Sequence, residues 1–489
     1  MRTLVIILIL IPVCLLSCKT DLKKDSSCIS KTAILDAQTR YQKIDGFGVN
    51  ITPAQWKDGN VKPALDMLTD DLGCTLFRFD CTGLADWLDP DRRNADGTYP
   101  EEYLEQVYTS PIFSDAWNTF RYLQSKGIEP FFNVSGRIPP GLGKDGSNHL
   151  QDFEGYAEMV VNMLQWAHEK EGLRFTLFAP FNETDLGFPE GPYLETEDCY
   201  PVVKAIVEKM KSSGLGDVRL IIMDDTKVIF PRLGQFLDKS DLLPQIYAFS
   251  AHTYGDGGDQ ETDGWFLSPS AFKNAVDSID QSIYKGTPLW ITEYGDLDQT
   301  GEVEYFFAWK STRRLLKLLN DGAAAAIAWD AFDNLHQHDS AWACYGLLKT
   351  DTMAWTYSPK RRYFAARQVY RFVPPGFFRT DIAAPLSSEH DVYQIWHAPL
   401  KNMLISSFVS ADSKDFTIAG MSNVECDVEL NIILKGIDGV INDKTVSYYR
   451  TSRNENCVLV GKYHINDFQF KAVISEGSVF TLTTLEKGQ

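Results

Sequence analysis

Two glutamates end short apolar runs: Ala179-Pro180-Phe181-Asn182-Glu183 and Trp290-Ile291-Thr292-Glu293-Tyr294. If both runs are strands of one parallel barrel, the carboxyls face a shared cleft, because such barrels carry catalytic groups where strands end and loops begin. Two carboxyls about 5–5.5 Å apart across a sugar can break a glycosidic bond with retention. One protonates the leaving oxygen and the other attacks the anomeric carbon. The Asn-Glu dipeptide alone says little, since it recurs at Asn454-Glu455 in a stretch of different texture. Strand-end placement is what singles out Glu183 and Glu293; a solvated loop glutamate is the bland alternative for each.

Other strand ends carry polar residues that suit the same chemistry. Arg78, in Leu76-Phe77-Arg78-Phe79, could hold a nucleophilic carboxylate ionised by charge pairing; a structural ion pair is its other reading. His252 and Tyr254 lie two apart on a strand end and so point the same way. The Tyr254 hydroxyl could bond Glu293, and His252 either lines the cleft or is a satisfied core histidine. Trp329 could form the floor under a sugar, or simply pack in the core. Asp224-Asp225 ends another run, as a sugar-hydroxyl acceptor or a surface turn. His336 and His338, with Asp330 and Asp333 near them, lack the helical spacing of hydrolytic metal motifs, so no metal and no cofactor is expected.

The elements that must position these groups are legible as alternation. Apolar runs at 44–49, 75–79, 130–134, 175–181, 218–223, 246–251, 288–292 and 323–329 read as strands covered on both faces. Between them run stretches of helical period, such as Phe153, Tyr156, Ala157, Val160, Val161 and Leu164. A second stripe holds Val303, Phe306, Phe307, Leu315, Leu316 and Leu319, stopped by Asn320-Asp321-Gly322. Eight strand–helix repeats predict a (β/α)8 barrel over 44–373. After Val373-Pro374-Pro375-Gly376 the period drops to two, with runs at 392–396, 403–409, 416–419, 428–433 and 479–482. That texture predicts a β-sandwich over 374–489, joined by a strand at 31–43.

Composition bounds the partners. The 489-residue chain carries a formal net charge of −19, which argues against nucleic acid. Residues 4–16 are apolar behind Arg2, too short to span a bilayer comfortably, and read as a signal segment over 1–17. Leu15-Leu16-Ser17-Cys18 follows and resembles a bacterial lipobox, so Cys18 is expected to carry lipid and 18–30 to be a tether. The expected location is then the cell envelope, on the outer membrane. A plain secretory signal with an incidental cysteine is the other reading. Of nine cysteines, seven remain once Cys14 is cleaved off and Cys18 lipidated, an odd set, so at least one is free or pairs between chains. Cys74 and Cys81 bracket an extended stretch of about 23 Å, beyond disulfide reach.

Several motifs together resemble glycoside hydrolase family 30. They are Gln42-Lys43-Ile44-Asp45-Gly46-Phe47-Gly48, Val134-Ser135-Gly136-Arg137-Ile138-Pro139-Pro140-Gly141, Phe181-Asn182-Glu183, Thr292-Glu293-Tyr294, the helix 363–376 and Ser478-Val479-Phe480-Thr481-Leu482. The third-strand loop departs from the family's Trp-Ser-Pro-Pro. The resemblance implies that Glu183 is acid/base and Glu293 nucleophile, that Asn182 binds the 2-hydroxyl, and that Arg78 and Tyr254 support Glu293. It also implies a monomer acting on a β-linked oligo- or polysaccharide. Glu183 must then carry a proton, so a raised pKa is expected there. Glu190-Gly191 is similar to the β-1,6-galactanase branch, which leans the substrate toward β-1,6-galactan or β-1,6-glucan over xylan. Arg137 could contact an acidic sugar. The rival classes are another hydrolase of the same clan and a silent surface glycan-binding lipoprotein.

Overall fold

The computed structural model describes residues 29–52, 56–80, 88–254, 270–295, 304–333, 345–351, 353–383, 403–424 and 426–486. The expectations for residues 1–28, for His336 and His338, and for a strand at 392–396 fall outside them, as do Val303 and the Phe306 and Phe307 side chains.

A parallel barrel closes from eight strands. In order they are β2 (Gly46–Ile51), β3 (Leu76–Asp80), β4 (Phe131–Asn133), β5 (Leu177–Ala179), β6 (Arg219–Asp225), β7 (Ile246–Tyr254), β8 (Leu289–Gly295) and β9 (Ala325–Ala328), and Gly46 pairs with Ala325 to shut it. Helices α1 (Lys62–Asp66), α2 (Glu101–Tyr108), α3 (Pro111–Ser125), α4 (Phe153–Glu169), α5 (Cys199–Ser212), α6 (Phe230–Gly234), α7 (Ala271–Asp280), α8 (Glu304–Asp321) and α9 (Arg361–Tyr370) accompany the strands. In α4, Asp152 caps the first turn through Gly155 N at 2.8 Å, and Tyr156, Ala157, Val160, Val161 and Leu164 are buried. The apolar stripe seen in the sequence is therefore the face against the barrel.

The barrel interior is filled below the cleft, as such interiors are. Trp290 occupies the lower layer among Ala179, Ala248, Ala324 and Ala325, whose short side chains leave it room. Its indole donates to Asp45 at 2.9 Å and closes that end.

A β-hairpin, β10 (Leu348–Asp351) with β11 (Thr356–Pro359), follows β9. The second sheet contains β1 (Ile29–Lys43), β12 (Phe378–Ala383), β13 (Met403–Val409), β14 (Phe416–Ser422), β15 (Val428–Lys435), β16 (Thr445–Thr451), β17 (Val458–His464), β18 (Gln469–Ile474) and β19 (Ser478–Thr483). Its order is β17-β16-β19-β14-β13-β12-β1-β15-β18. The ends curl toward each other: Tyr463 of β17 stacks on Phe470 of β18 at 6.5 Å, over one shared core. The expected sandwich is formed by one nine-stranded sheet folded over on itself. The tether expected over 18–30 also ends early, since β1 begins at Ile29. Alternation of buried Ala33, Leu35 and Ala37 explains the strand: one face meets the core, the other solvent.

β1 runs between β12 and β15, with Ile29 to Asp36 in parallel register with Val428 to Lys435. The folded sheet is fixed to the barrel by α8 and α9. Asn320 bonds the Ser406 hydroxyl at 2.8 Å, Gln368 bonds Thr451 at 2.9 Å, and Phe372 stacks on Tyr449 at 4.5 Å. Four cysteines among the described residues are free, and the Cys74 thiol is pushed far up by burial, which leaves it inert. Because Leu35 is fully buried in the folded sheet, Leu35→Ala is expected to cost about 2–5 kcal/mol. Denaturant titration of the full chain checks this; a loss under about 1 kcal/mol would show that β1 is peripheral to that core.

Candidate active site

The upper rim of the barrel gathers a buried polar cluster around one guanidinium. Arg78, from the middle of β3, is fully buried. Its Nη1 donates to Asn50 Oδ1 and to Glu293 Oε1, both at 2.7 Å. Its Nη2 donates to Asn182 Oδ1 at 2.6 Å and Asp224 Oδ2 at 3.0 Å. Burial works against this cation, but the Asp224 and Glu293 carboxylates outweigh it and raise its pKa.

Four strand ends thus meet on one side chain, and local irregularities put them there. In β6 the register with β7 slips between Ile222 and Asp225, and Met223 and Asp224 take φ of +85° and +50°. Such a bulge re-aims side chains that strict alternation would send apart. Asp224 and Asp225 are consequently both buried, at 1% exposure each. In β8 the register slips where His252 pairs with Glu293. Thr292 then bonds Asp224 while the next residue, Glu293, reaches Arg78. Glu183 itself sits at φ +42°, a left-handed geometry that a non-glycine residue adopts at a cost of about 1–2 kcal/mol. Its amide donates to Asp224 O at 2.8 Å, which ties the bend to the bulge.

The carboxylates differ in their partners. Glu293 accepts from Arg78 on one oxygen and from the Tyr254 hydroxyl on the other. Burial raises its pKa; His252 and Arg78 pull it back down, Glu183 pushes it up, and Tyr254 pulls it down. Among the described residues, the Glu183 carboxyl meets one side chain, His252, whose Nδ1 lies at 2.8 Å. That imidazole also lies 3.5 Å from Glu293 Oε2, while its Nε2 is 3.7 Å from Asp224, beyond hydrogen-bond reach. Burial would discharge His252, but Glu293, Asp224 and Glu183 overcome it and hold its pKa well above the usual imidazole value. For Asp224, burial is overcome by Arg78 and His252, and its pKa lies well below the carboxylate range.

Glu183, His252 and Glu293 each offer an atom within 4.8 Å of the others, a spacing a metal ion could use. The donor chemistry does not suit a cation. Arg78 and Tyr254 already occupy Glu293, and the imidazole between the carboxyls is itself held protonated.

Arg78, Asn182, Glu183, Asp224, His252, Tyr254 and Glu293, singled out from the sequence, are thus brought together. Asp224 is an interior ligand of Arg78, neither a surface turn nor an open sugar acceptor. Trp329 follows β9, half-buried, with its amide on Tyr294 O at 2.9 Å, the residue next to Glu293. Arg137 lies over the Phe188 ring at 5.1 Å on the rim. Three residues escaped the sequence reading. Asn50 donates to Thr292 O at 3.0 Å and Ala328 O at 3.2 Å, and Asn133 donates to Phe181 O at 2.6 Å and Asp224 at 3.2 Å. A lone amide ending an apolar run was the available signal for both. Arg232 of α6 grips Thr184, the residue after Glu183, at 2.6 Å and pairs with Asp225 at 2.9 Å. Burial pushes Asp225 up to about 8, with Arg232 pulling the other way. Nothing local in the sequence marks Arg232.

No family model matches the chain. Among curated proteins it is similar to an endo-β-1,6-galactanase from Hypocrea rufa, 20% identical over 300 residues; the match spans 60% of this chain and 56% of that protein's length. Among solved structures it resembles a glycoside hydrolase family 30 subfamily 8 xylanase from Clostridium acetobutylicum. The TM-score is 0.65 at 13% identity, covering 92% of this chain and 99% of that one. It also resembles an endo-β-1,6-glucanase, with TM-score 0.64 at 17% identity over 95% and 96% of the two chains. The likeness shows a family 30 type of fold. It is the resemblance that the sequence motifs carried.

Removing the central cation should expose how much it holds. Arg78→Met leaves two buried carboxylates unpaired and is expected to cost about 3–5 kcal/mol at neutral pH. The cost should shrink as pH falls, because the stranded carboxylates then bind protons. In the wild type Asp224 contributes stability above the ordinary Asp pKa, lost as pH falls through its depressed folded value. Denaturation at two pH values checks both signs.

Proposed function

We propose that this protein is a retaining β-glycoside hydrolase, with Glu183 as acid/base and Glu293 as nucleophile. The observation that carries this reading is the closeness of the two carboxyls, whose nearest atoms lie within 4.8 Å beside a shared histidine. Retaining enzymes need about 5–5.5 Å, while inverting ones need about 6.5–9.5 Å to seat a water between the groups.

The division of labour follows from the partners. Glu293 is held as an anion by the Arg78 guanidinium on one oxygen and the Tyr254 hydroxyl on the other. It attacks the anomeric carbon, and the bond to the leaving oxygen breaks. Glu183 gives that oxygen a proton; His252, at 2.8 Å, fixes its carboxyl. Once the glycosyl–Glu293 ester has formed, Glu183 takes a proton from water as its oxygen attacks the anomeric carbon from the face the leaving group left, and the bond to Glu293 breaks, so configuration is retained. Asn182 has its oxygen on Arg78 and one amide hydrogen on Glu190 O at 3.1 Å. The other amide hydrogen is left to meet a sugar 2-hydroxyl.

The preferred substrate is a β-1,6-linked hexan, galactan or glucan. The galactanase and glucanase likenesses support it, together with the Glu190-Gly191 pair after the acid/base strand. A xylan is the alternative that the xylanase neighbour suggests. The lipobox at Leu15 to Cys18 supports a lipid-anchored envelope protein; fatty-acid labelling that persists in Cys18→Ala would refute that anchor.

A polysaccharide screen with NMR of the first-released anomer tests the mechanism. Retention is expected, and inverted product would overturn it. Glu293→Gln should fold and lose nearly all turnover. Glu183→Gln should lose about 10²–10⁴-fold on substrates with poor leaving groups. The acidic limb of kcat/KM should lie above the ordinary glutamate range, because burial raises Glu293. Tyr254→Phe removes a donor to the anion, so the limb should move higher still; a limb at or below the wild-type position would contradict the assignment.

A further inference from the structure

A third carboxyl stands beside Glu183 and Glu293, without a side-chain partner among the described residues. Glu190 lies on the loop after β5, and its backbone is stitched into the site. Its carbonyl accepts from Gly136 N at 2.9 Å and from the Asn182 carboxamide at 3.1 Å, and its amide donates to Gly187 O at 2.9 Å. The next residue must be glycine, since a Cβ on Gly191 would fall 1.9 Å from Asn182 O. The direction in which Glu190 leaves the loop is therefore set by the same asparagine that flanks Glu183.

Its carboxyl is half-buried and, among the described residues, makes no hydrogen bond or ion pair. The rim cation Arg137 lies over Phe188 instead. Burial first, then the like charges of Glu183, Glu293 and Asp80, push it up to about 7, with His252 pulling the other way. A half-buried carboxyl without partners is costly unless a ligand supplies them. Sugar hydroxyls do so in either protonation state, because they both donate and accept. On the same loop Leu186 and Phe188 are exposed at 58% and 57% and offer an apolar face to a sugar ring.

We propose that Glu190 is a specificity residue that hydrogen-bonds a hydroxyl of a neutral sugar unit lying across Glu183 and Glu293. The proposal rests on the hydrolase reading and names how that site grips its substrate. A neutral sugar fits because an acidic one would add charge to a cleft already lined by carboxyls.

The test uses the full chain and the oligosaccharide that wild type cuts best. Glu190→Ala is expected to lower kcat/KM about 10- to 100-fold, the worth of a hydrogen bond to a charged group. Glu190→Gln, which can still bond a hydroxyl, should recover much of that loss. In Glu190→Gln the change of rate near pH 7 should also disappear from the kcat/KM profile. A set of monodeoxy oligosaccharides then locates the contact. One of them should be cut equally well by wild type and Glu190→Ala, since the partner hydroxyl is gone. Both variants at wild-type rates, or equal losses on every deoxy sugar with the Tm unchanged, would overturn the proposal. Failure of wild type to cut any glycan would instead overturn the hydrolase reading, so the two failures are told apart.

Discussion

The guanidinium of Arg78 is the constraint on which the rest of the site depends. A fully buried cation needs compensation, and here two carboxylates and two amide oxygens supply it from four different strand ends. Each of those groups is in turn held by another. Asn50 spans to Thr292 and Ala328, and Asn133 reaches Phe181 and Asp224. The planar fork of an arginine fits this role, because a lysine has no fixed geometry with which to order four acceptors. The position of Glu293 is therefore the outcome of a network, not of β8 alone.

The backbone irregularities follow from that requirement. Regular strands would alternate Asp224 with Asp225, and Thr292 with Glu293, between the inside and the outside of the barrel. The bulges in β6 and β8 bring both members of each pair into use. One member of each pair serves the Arg78 cluster directly. The other serves a neighbour: Asp225 holds Arg232, which clamps Thr184, and Thr292 bonds Asp224. Positive φ at Met223, Asp224 and Glu183 belongs to the same arrangement. Strained geometry of this kind persists where surrounding bonds over-determine it, and the amide of Glu183 on Asp224 O is one such bond.

This also sets what could be read from the sequence. The barrel was legible because strands covered on both faces write continuous apolar runs, and Glu183 and Glu293 because a carboxylate must end such a run to reach the cleft. The folded sheet was legible where one face alternates, as in β1 and β15, or where the run is apolar and wholly buried, as in β13. It was missed in β12 and in β16, β17 and β18, where polar residues such as Arg379, Arg450 and Lys462 interrupt the pattern. The bulges left no signal, because an extra residue in a strand changes register without changing composition. Arg232 was invisible for a related reason: its partners Asp225, Thr184 and Leu194 lie 7, 48 and 38 residues away.

The carboxyls of Glu183 and Glu293 are distinguished by their partners more than by their burial, since both are nearly enclosed, at 8% and 5% exposure. Glu293 has a permanent cation and a hydroxyl donor. Glu183 has an imidazole, which can itself gain or lose a proton. The Glu183–His252 pair is neutral whether the proton sits on oxygen or on Nδ1, so moving it within the pair changes no net charge. A pair of that kind can deliver a proton outward and take one back while Arg78 keeps Glu293 ionised. The two carboxyls thus share one pocket but not one environment: Glu293 meets a fixed positive charge, Glu183 an imidazole whose proton can move.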